Sequence, residues 1–221
     1  MKLNEVAVIF GGTGLTGKHL VSLILGDPKF SEIIIVSRNK INLNHKKITN
    51  KIINFSKYEE IESSILKNSI VFSCIGTTMH QVNGNEKKYK SIDLDITVNI
   101  AKASKKVGAK KFLFISTARA NSLSKNFYLK LKGDIENTVI DCNFKSVFIF
   151  RPSLLLGKRK EKRPIEKLVQ IIMSYLSFLF PNSIKAINAL DVAKHMIHIA
   201  KSNLSGINII SNKDIINHCK Y

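Results

Sequence analysis

Tyr128 and Lys132, four residues apart in the run Tyr128-Leu129-Lys130-Leu131-Lys132, are the pair in this chain best suited to chemistry. That spacing on a helix puts two side chains on one face. An ammonium beside a phenol favours the phenolate and lowers a pKa that is ordinarily about 10. Tyr128 is therefore expected to exchange protons near neutrality. Ser116 and Thr117 stand 12 and 11 residues earlier, at the expected end of a strand, where a hydroxyl can hydrogen-bond a substrate carbonyl or hydroxyl oxygen. Read together, the four are the candidate catalytic residues of a proton relay beside a cofactor that carries hydride. The Tyr-Lys spacing alone is common, and its weight comes from a second motif about 110 residues upstream.

That motif is Gly11-Gly12-Thr13-Gly14-Leu15-Thr16-Gly17, between the apolar run Val6 to Phe10 and the periodic segment Lys18 to Leu25. It reads as strand, tight turn, helix. Glycines at this spacing let the backbone turn sharply, approach a pyrophosphate and pack the new helix close to the sheet. The helix N-terminus offers free N–H groups and a positive dipole end to the anion. A second strand, Ile33 to Val36, is followed by Ser37-Arg38-Asn39-Lys40. Sites for NAD place an Asp or Glu there to receive the ribose 2′-hydroxyl. This chain has Arg38 instead, suited to a 2′-phosphate, so NADPH (NADP) is expected over NAD. Asn54 is a candidate adenine contact, and the strand ending Cys74-Ile75-Gly76 leads into the turn Gly76-Thr77-Thr78 at the edge where a doubly wound sheet holds its ligand.

The elements that must position these residues alternate along the chain. A third strand is expected over Lys51 to Phe55, a helix over Lys57 to Lys67 and a fourth strand over Ser69 to Gly76. A long helix is expected over Glu86 to Val107, with Tyr89, Ile92, Ile96, Ile100 and Ala103 as its core stripe and Asp93, Asp95 and Asn99 free to face elsewhere. Strand five begins at Lys111, a helix runs Asn126 to Asp141, and strand six, Ser146 to Ser153, is ended by Pro152. An apolar helix or helix pair over Ile165 to Phe180, a helix from Asn188 to Lys201, a late strand Gly206 to Ile210 and a capped segment Ser211 to His218 complete the order. This pattern predicts the α/β class: a single Rossmann-like, doubly wound parallel sheet with helices on both faces. One NAD(P)-binding domain is expected over 1–221, with its core at 5–157 and a small C-terminal helical and strand extension, 158–221, covering the substrate.

Composition bounds the rest. The chain has 221 residues, 44% of them hydrophobic, and a formal net charge of +19. Such a charge raises nucleic acid as a partner, but only 5 of the 35 basic side chains are arginine. The lysines are spread along the whole chain, unlike the arginine forks and interleaved aromatics of a nucleic-acid reader. Nucleic acid is thus not expected, and the local run Lys158-Arg159-Lys160 with Lys162 and Arg163 reads as a solvated loop. Cys74, Cys142 and Cys219 lie far apart, without the spacing of a metal site or a disulfide framework. His19, His195 and His198 lack acidic or cysteine partners at ligand spacing. The uncharged stretch Leu168 to Ile184 falls short of the roughly 20 apolar residues of a transmembrane helix. Within it, the apolar segment Leu168 to Phe180 is expected to cover the substrate pocket or a subunit contact in a monomer or homodimer, with peripheral membrane attachment as the lesser option. No signal-peptide pattern opens the sequence, so a cytoplasmic location is expected.

Four segments carry a family resemblance: Phe10 to Gly17, Phe72 to Thr78, Phe127 to Gly133, and Phe150 to Gly157 with Arg163-Pro164 after it. Through them the sequence resembles the atypical short-chain dehydrogenase/reductases over residues 5 to about 200, in the branch of the Tat-interacting-protein-like oxidoreductases and their bacterial relatives. The resemblance implies an NADPH-binding Rossmann domain. Gly11, Thr13, Gly14, Leu15 and Gly17 would meet the pyrophosphate, Arg38 the 2′-phosphate, and Cys74 and Gly76, with Thr77 beyond, the path to the nicotinamide. Tyr128 and Lys132 would be the active pair. Ser116-Thr117 stands where the family often has two serines, and Arg119 where a glycine is common. The expected function is an oxidoreductase reducing a small carbonyl or oxidising the matching alcohol. A cofactor-gated binding protein is the alternative, and a sugar-nucleotide epimerase ranks third because only about 65 residues follow Gly157.

Overall fold

The computed structural model of the protein describes residues 4–157 and 185–219. Seven strands form one sheet: β1 (Glu5–Phe10), β2 (Phe30–Ser37), β3 (Ile48–Ile52), β4 (Ile70–Ser73), β5 (Lys111–Ile115), β6 (Ser146–Arg151) and β9 (Gly206–Ser211). Their order is β3-β2-β1-β4-β5-β6-β9, every neighbouring pair parallel. This is the Rossmann-like α/β arrangement that alternating elements require, since parallel neighbours must be joined by crossovers. A short parallel pair, β7 (Leu155–Leu156) and β8 (Ile187–Asn188), lies beside the sheet and was not anticipated from sequence.

The strands read as near-continuous apolar runs because both faces are covered. Along β1, Ala7 and Ile9 join one core and Val8 and Phe10 the other. The first core packs against helix α1 (Gly17–Leu25) and helix α6 (Ala189–Lys201), through Leu20, Ile24, Val192 and Met196. The second packs against α2 (Tyr58–Ser63), α4 (Ile96–Val107) and α5 (Phe127–Asp141), through Ile61, Ile100, Leu131, Ile135 and Val139. Helix α7 (Asn212–His218) closes the described chain with the expected cap: Ser211 and Asp214 form a full capping box. No helix among the described residues is long and apolar enough to cross a membrane. The apolar segment 165–180 and the basic run 158–163 lie outside the described residues.

Two expectations need correction. The third strand is Ile48–Ile52 rather than Lys51 to Phe55. Residues 54–56 are claimed by turn chemistry: the Asn54 side-chain oxygen accepts from the Ser56 N–H (3.0 Å) and hydroxyl (2.7 Å), and Glu60 accepts from the Asn54 N–H (2.7 Å). The helix expected over Glu86 to Val107 is α3 (Glu86–Lys90), a π-helical turn (Ser91–Asp95) and then α4. The wider turn shifts the buried stripe. Asp93 and Thr97 point inward, while Ile92 and Ile96 are only half-buried.

His195 and His198 on α6 and His218 on α7 form a cluster, with ring centroids of 4.3 Å for both His218 contacts and 6.1 Å between the α6 pair. Burial, and then the neighbouring imidazoles, push His195 down to about 4 from 6.5, against a weaker opposite pull from Asp214. His218 is lowered by burial and by His198. Each folded pKa lies below its unfolded value, so the folded state binds fewer protons. The contribution is complete above about pH 6.5 and is lost as pH falls toward 4. We expect the unfolding free energy from denaturant titrations to fall over that window by about 1 to 2 kcal/mol after allowance for solvent screening at this helix pair. His195→Phe, which keeps an aromatic ring and cannot titrate, should flatten the slope; an unchanged slope would refute the assignment.

Candidate active site at the carboxyl edge of the sheet

The turn after β1 is built by close approach. The Gly14 N–H donates to the Gly11 carbonyl (3.0 Å) and the Lys18 N–H to the Gly14 carbonyl (3.1 Å), so the chain enters α1 without a spacer. A Cβ on Gly17 would lie 2.1 Å from the Gly11 oxygen, which no side chain can relieve. Thr16, at the helix start, makes no side-chain cap. The start of α1 thus stands at the sheet's carboxyl edge with no side chain capping it, the Lys18 N–H being taken by the turn itself.

Beside this turn lies a cleft of about 410 Å³. Thr13, Gly14 and Leu15 form one wall, Cys74, Gly76 and Thr77 from the exit of β4 form the next, and Ser116, Tyr128 and Lys132 face them from β5 and α5. Gly11 and Gly17 shape the turn behind the wall without lining it. Thr117 is half-buried and does not line the cleft. Arg38 is exposed just past the end of β2, and Asn54 is occupied in its own turn, so neither reaches the cleft in this structure. Sequence reasoning missed Tyr89, Asp93, Gln81 and Leu155, which do line it. Leu155 is carried there by the β7–β8 pair.

Asp93 is the member that binds the others together. Its carboxylate accepts from the Thr77 N–H at 2.6 Å and pairs with the Lys132 ammonium at 2.7 Å, with 1% and 8% of the two side chains exposed. Burial alone would lower Lys132, but the Asp93 carboxylate outweighs it and holds the lysine above its ordinary value. Lys132 is thus kept as an ammonium inside the protein. Tyr89 donates its hydroxyl to the Thr77 carbonyl at 3.2 Å; burial and then the Asp93 charge raise it, so it stays protonated. Tyr128 meets the Tyr89 ring edge-on at 6.3 Å, with its own ring partly in solvent. Burial pushes the Cys74 thiol up to about 12, which leaves it an inert wall group.

The second polar line runs behind Ser116. Its hydroxyl donates to Glu136, whose carboxylate is held by Arg151 through Nε at 3.0 and 3.2 Å and through Nη2. An ion-paired carboxylate only accepts, so the Ser116 proton is committed to it and lone pairs are left for the cleft. Helix α5 carries Tyr128, Lys132 and Glu136 at i, i+4 and i+8, one face serving three partners. The segment leading to α5 lies across it at Gly133, where a Cβ would stand 2.1 Å from the Ser122 nitrogen. The Asn126 side chain caps the helix by accepting from Leu129 N–H.

Residues 11–163 match the family described as NAD(P)H-binding. The chain is 30% identical to "Protein FMP52, mitochondrial" of Coccidioides immitis over 231 residues, covering 94% of each. It is 29% identical to "Protein HTATIP2" of Rattus norvegicus over 217 residues, covering 96% of this chain and 88% of that one. Among solved structures it superposes on the UDP-N-acetylglucosamine 4-epimerase of Methanobrevibacter ruminantium M1 with a TM-score of 0.74 at 18% identity, covering 94% and 76% of the two chains. The Bordetella bronchiseptica enzyme WbmG, solved in complex with NAD, gives 0.70 at 14% identity over 99% and 79%. At these identities the structural likeness is one of fold.

Asp93→Asn keeps an acceptor for the Thr77 N–H and removes the charge opposite Lys132. Breaking a buried pair in this way should cost about 3 to 5 kcal/mol at neutral pH. Without Asp93, burial is the largest remaining influence on Lys132, opposed by Tyr128 and Glu136, and we expect the lysine to fall below its ordinary value of about 10.4. The variant's folded state then holds fewer protons than its unfolded state, so its stability rises with pH while the unmutated protein loses stability as pH climbs above that value. Unfolding measured at pH 7 and pH 9.5 (about one unit below the unfolded value) should show the deficit shrinking; a deficit independent of pH would refute the pairing.

Proposed function

The chain belongs to the NAD(P)H-binding family, as an atypical short-chain dehydrogenase/reductase, and from that premise we propose that it is an NADPH-dependent oxidoreductase of a small carbonyl or alcohol substrate. The observation that carries the proposal is the convergence of Tyr128 and the buried Lys132–Asp93 pair on the cleft walled by the glycine turn. The cofactor fits the residues present: the N-terminus of α1, which no side chain caps, suits a pyrophosphate, and the Gly17 contact leaves no side chain between helix and turn. Thr13, Gly14 and Leu15 would hold the pyrophosphate, and Cys74, Gly76 and Thr77 would border the nicotinamide. Arg38, exposed past β2 and followed in sequence by Asn39 where an acid would mark an NAD site, would take the 2′-phosphate. When bound, the cofactor supplies or accepts the hydride.

The chain's own residues supply the rest. Tyr128 gives its hydroxyl proton to the substrate oxygen as that oxygen becomes an alkoxide, and takes it back in the reverse direction. Lys132, kept charged by Asp93, lends its field to the phenolate and binds the ribose hydroxyls. To orient a carbonyl oxygen, Ser116 would turn its proton from Glu136 to that oxygen, with Glu136 and Arg151 holding the side chain in place. Leu155 and Ile115 add apolar surface that excludes water from the reacting atoms.

One observation favours the second reading, a cofactor-sensing binding protein. Both relay partners are engaged before any substrate arrives, Lys132 with Asp93 and Ser116 with Glu136. Turnover with a verified substrate separates the two. Tyr128→Phe removes only the titrating hydroxyl, so NADPH binding should hold within about twofold while turnover slows by about 10²- to 10⁴-fold. Full activity in that variant would overturn the relay, and tight NADPH binding without turnover of any carbonyl would favour sensing. For the cofactor, NADPH should bind more tightly than NADH, and Arg38→Ala should erase most of a difference of roughly ten- to a hundredfold, one charged hydrogen bond. Equal titrations of the two cofactors by the unmutated protein would exclude this role for Arg38.

A further inference from the structure

At the amino-terminal edge of the sheet, opposite the cofactor cleft, lies a second recess of about 240 Å³. Lys29, from the turn before β2, Lys110 and Lys111 at the start of β5, Lys145 just before β6 and Lys201 at the end of α6 all line it. Among the described lining residues Glu5 is the one carboxylate. A lysine-rich composition spreads ammonium groups over a surface; it does not bring four separate segments to one concave spot.

Some of this charge is already matched. Lys110 pairs with Glu5 at 2.5 Å and Lys201 with Asp27 at 2.7 Å. Lys111, only 5% exposed, gives its ammonium to the carbonyls closing α6: Ile199 at 3.2 Å, Ala200 at 3.1 Å, and Ser202. Those bonds offset the negative end of the helix dipole but leave the full positive charge in place. Lys29 spends one donor on the Lys201 carbonyl at 3.1 Å. Among the described residues, no carboxylate lies within ion-pair distance of Lys29, Lys111 or Lys145. Five ammonium groups therefore meet two carboxylates. The surplus is felt inside the recess, where burial and then the charges of Lys110 and Lys29 lower Lys111.

We propose that this recess binds a small multivalent phosphate anion, either free in solution or as the phosphorylated end group of a larger molecule. Lys29 and Lys145 would contact it directly, each with ammonium hydrogens to spare, while Lys111 supplies field from behind. Lysines act on phosphate as point charges, without the planar geometry that arginine forks impose. The volume lies below the roughly 300 Å³ at which pockets begin to hold a drug-sized ligand, which limits the occupant to a compact group. The site stands on the far side of the sheet from the dinucleotide cleft and does not depend on the reaction proposed there.

Tripolyphosphate titrated by calorimetry at about 0.15 M salt, with NADPH present in excess to fill the cofactor cleft, tests this. One saturable site per chain is expected. Lys29→Ala/Lys145→Ala should weaken it about tenfold or more, as loss of charged contacts predicts. Lys46→Ala/Lys102→Ala, which removes equal charge from exposed positions elsewhere, should leave it within about twofold. Absence of saturable binding, or equal weakening in the two double variants, overturns the proposal. Co-sedimentation with phosphatidylcholine vesicles carrying phosphatidylinositol bisphosphate separates the sources. Binding that is lost in Lys29→Ala/Lys145→Ala and competed by tripolyphosphate assigns a membrane end group. Tripolyphosphate binding without vesicle binding assigns the free anion.

Discussion

A buried ion pair organises the cleft. Lys132 and Asp93 come from different crossovers, and each alone would be an uncompensated charge in a nearly dry site. Their attraction requires that the π-helical turn, the exit of β4 and helix α5 keep one relative position, because Asp93 also holds the Thr77 N–H. The strand exit that would border a nicotinamide and the helix that carries Tyr128 are thereby one unit. A lysine left to burial would tend to lose its proton; the aspartate keeps it charged at neutral pH.

The sheet makes that pairing possible. Seven parallel strands with helices on both faces leave their carboxyl ends as the one edge where loops from β1, β4 and β5 converge. Close packing then decides how near they come. Gly17 lets α1 start against the Gly11 carbonyl, and Gly133 lets the segment before α5 cross the helix that carries Tyr128. In both places the missing Cβ is what permits the close approach. Glu136 and Arg151 do comparable work for Ser116, tying the end of β6 to the middle of α5 and fixing the direction of one hydroxyl.

The chain's positive charge is handled differently at the two edges of the sheet. At the carboxyl edge, the cationic Lys132 and Arg151 are answered by Asp93 and Glu136. At the amino edge, lysines outnumber the carboxylates that meet them, and Lys111 is matched mainly by carbonyl dipoles. The same composition thus yields a neutralised polar network on one side and a cationic recess on the other.

Much of this was legible in the residues by themselves. The strand-turn-helix at Gly11 to Leu25, the alternation of elements, the single helical face shared by Tyr128 and Lys132 and the Ser211–Asp214 cap all follow from local spacing, because they depend on neighbours a few residues away. Other features turn on contacts that no local period records. The third strand moved toward the N-terminus because Asn54, Ser56 and Glu60 satisfy one another in a turn. On a regular helix Asp93 falls off the core stripe and is free to face elsewhere; the π turn brings it inward. Asp93 with Lys132, Glu136 with Ser116 and Arg151, Leu155 in the cleft, the histidine cluster and the lysine recess join residues far apart in the chain, and only the register of one packed element against another brings them together.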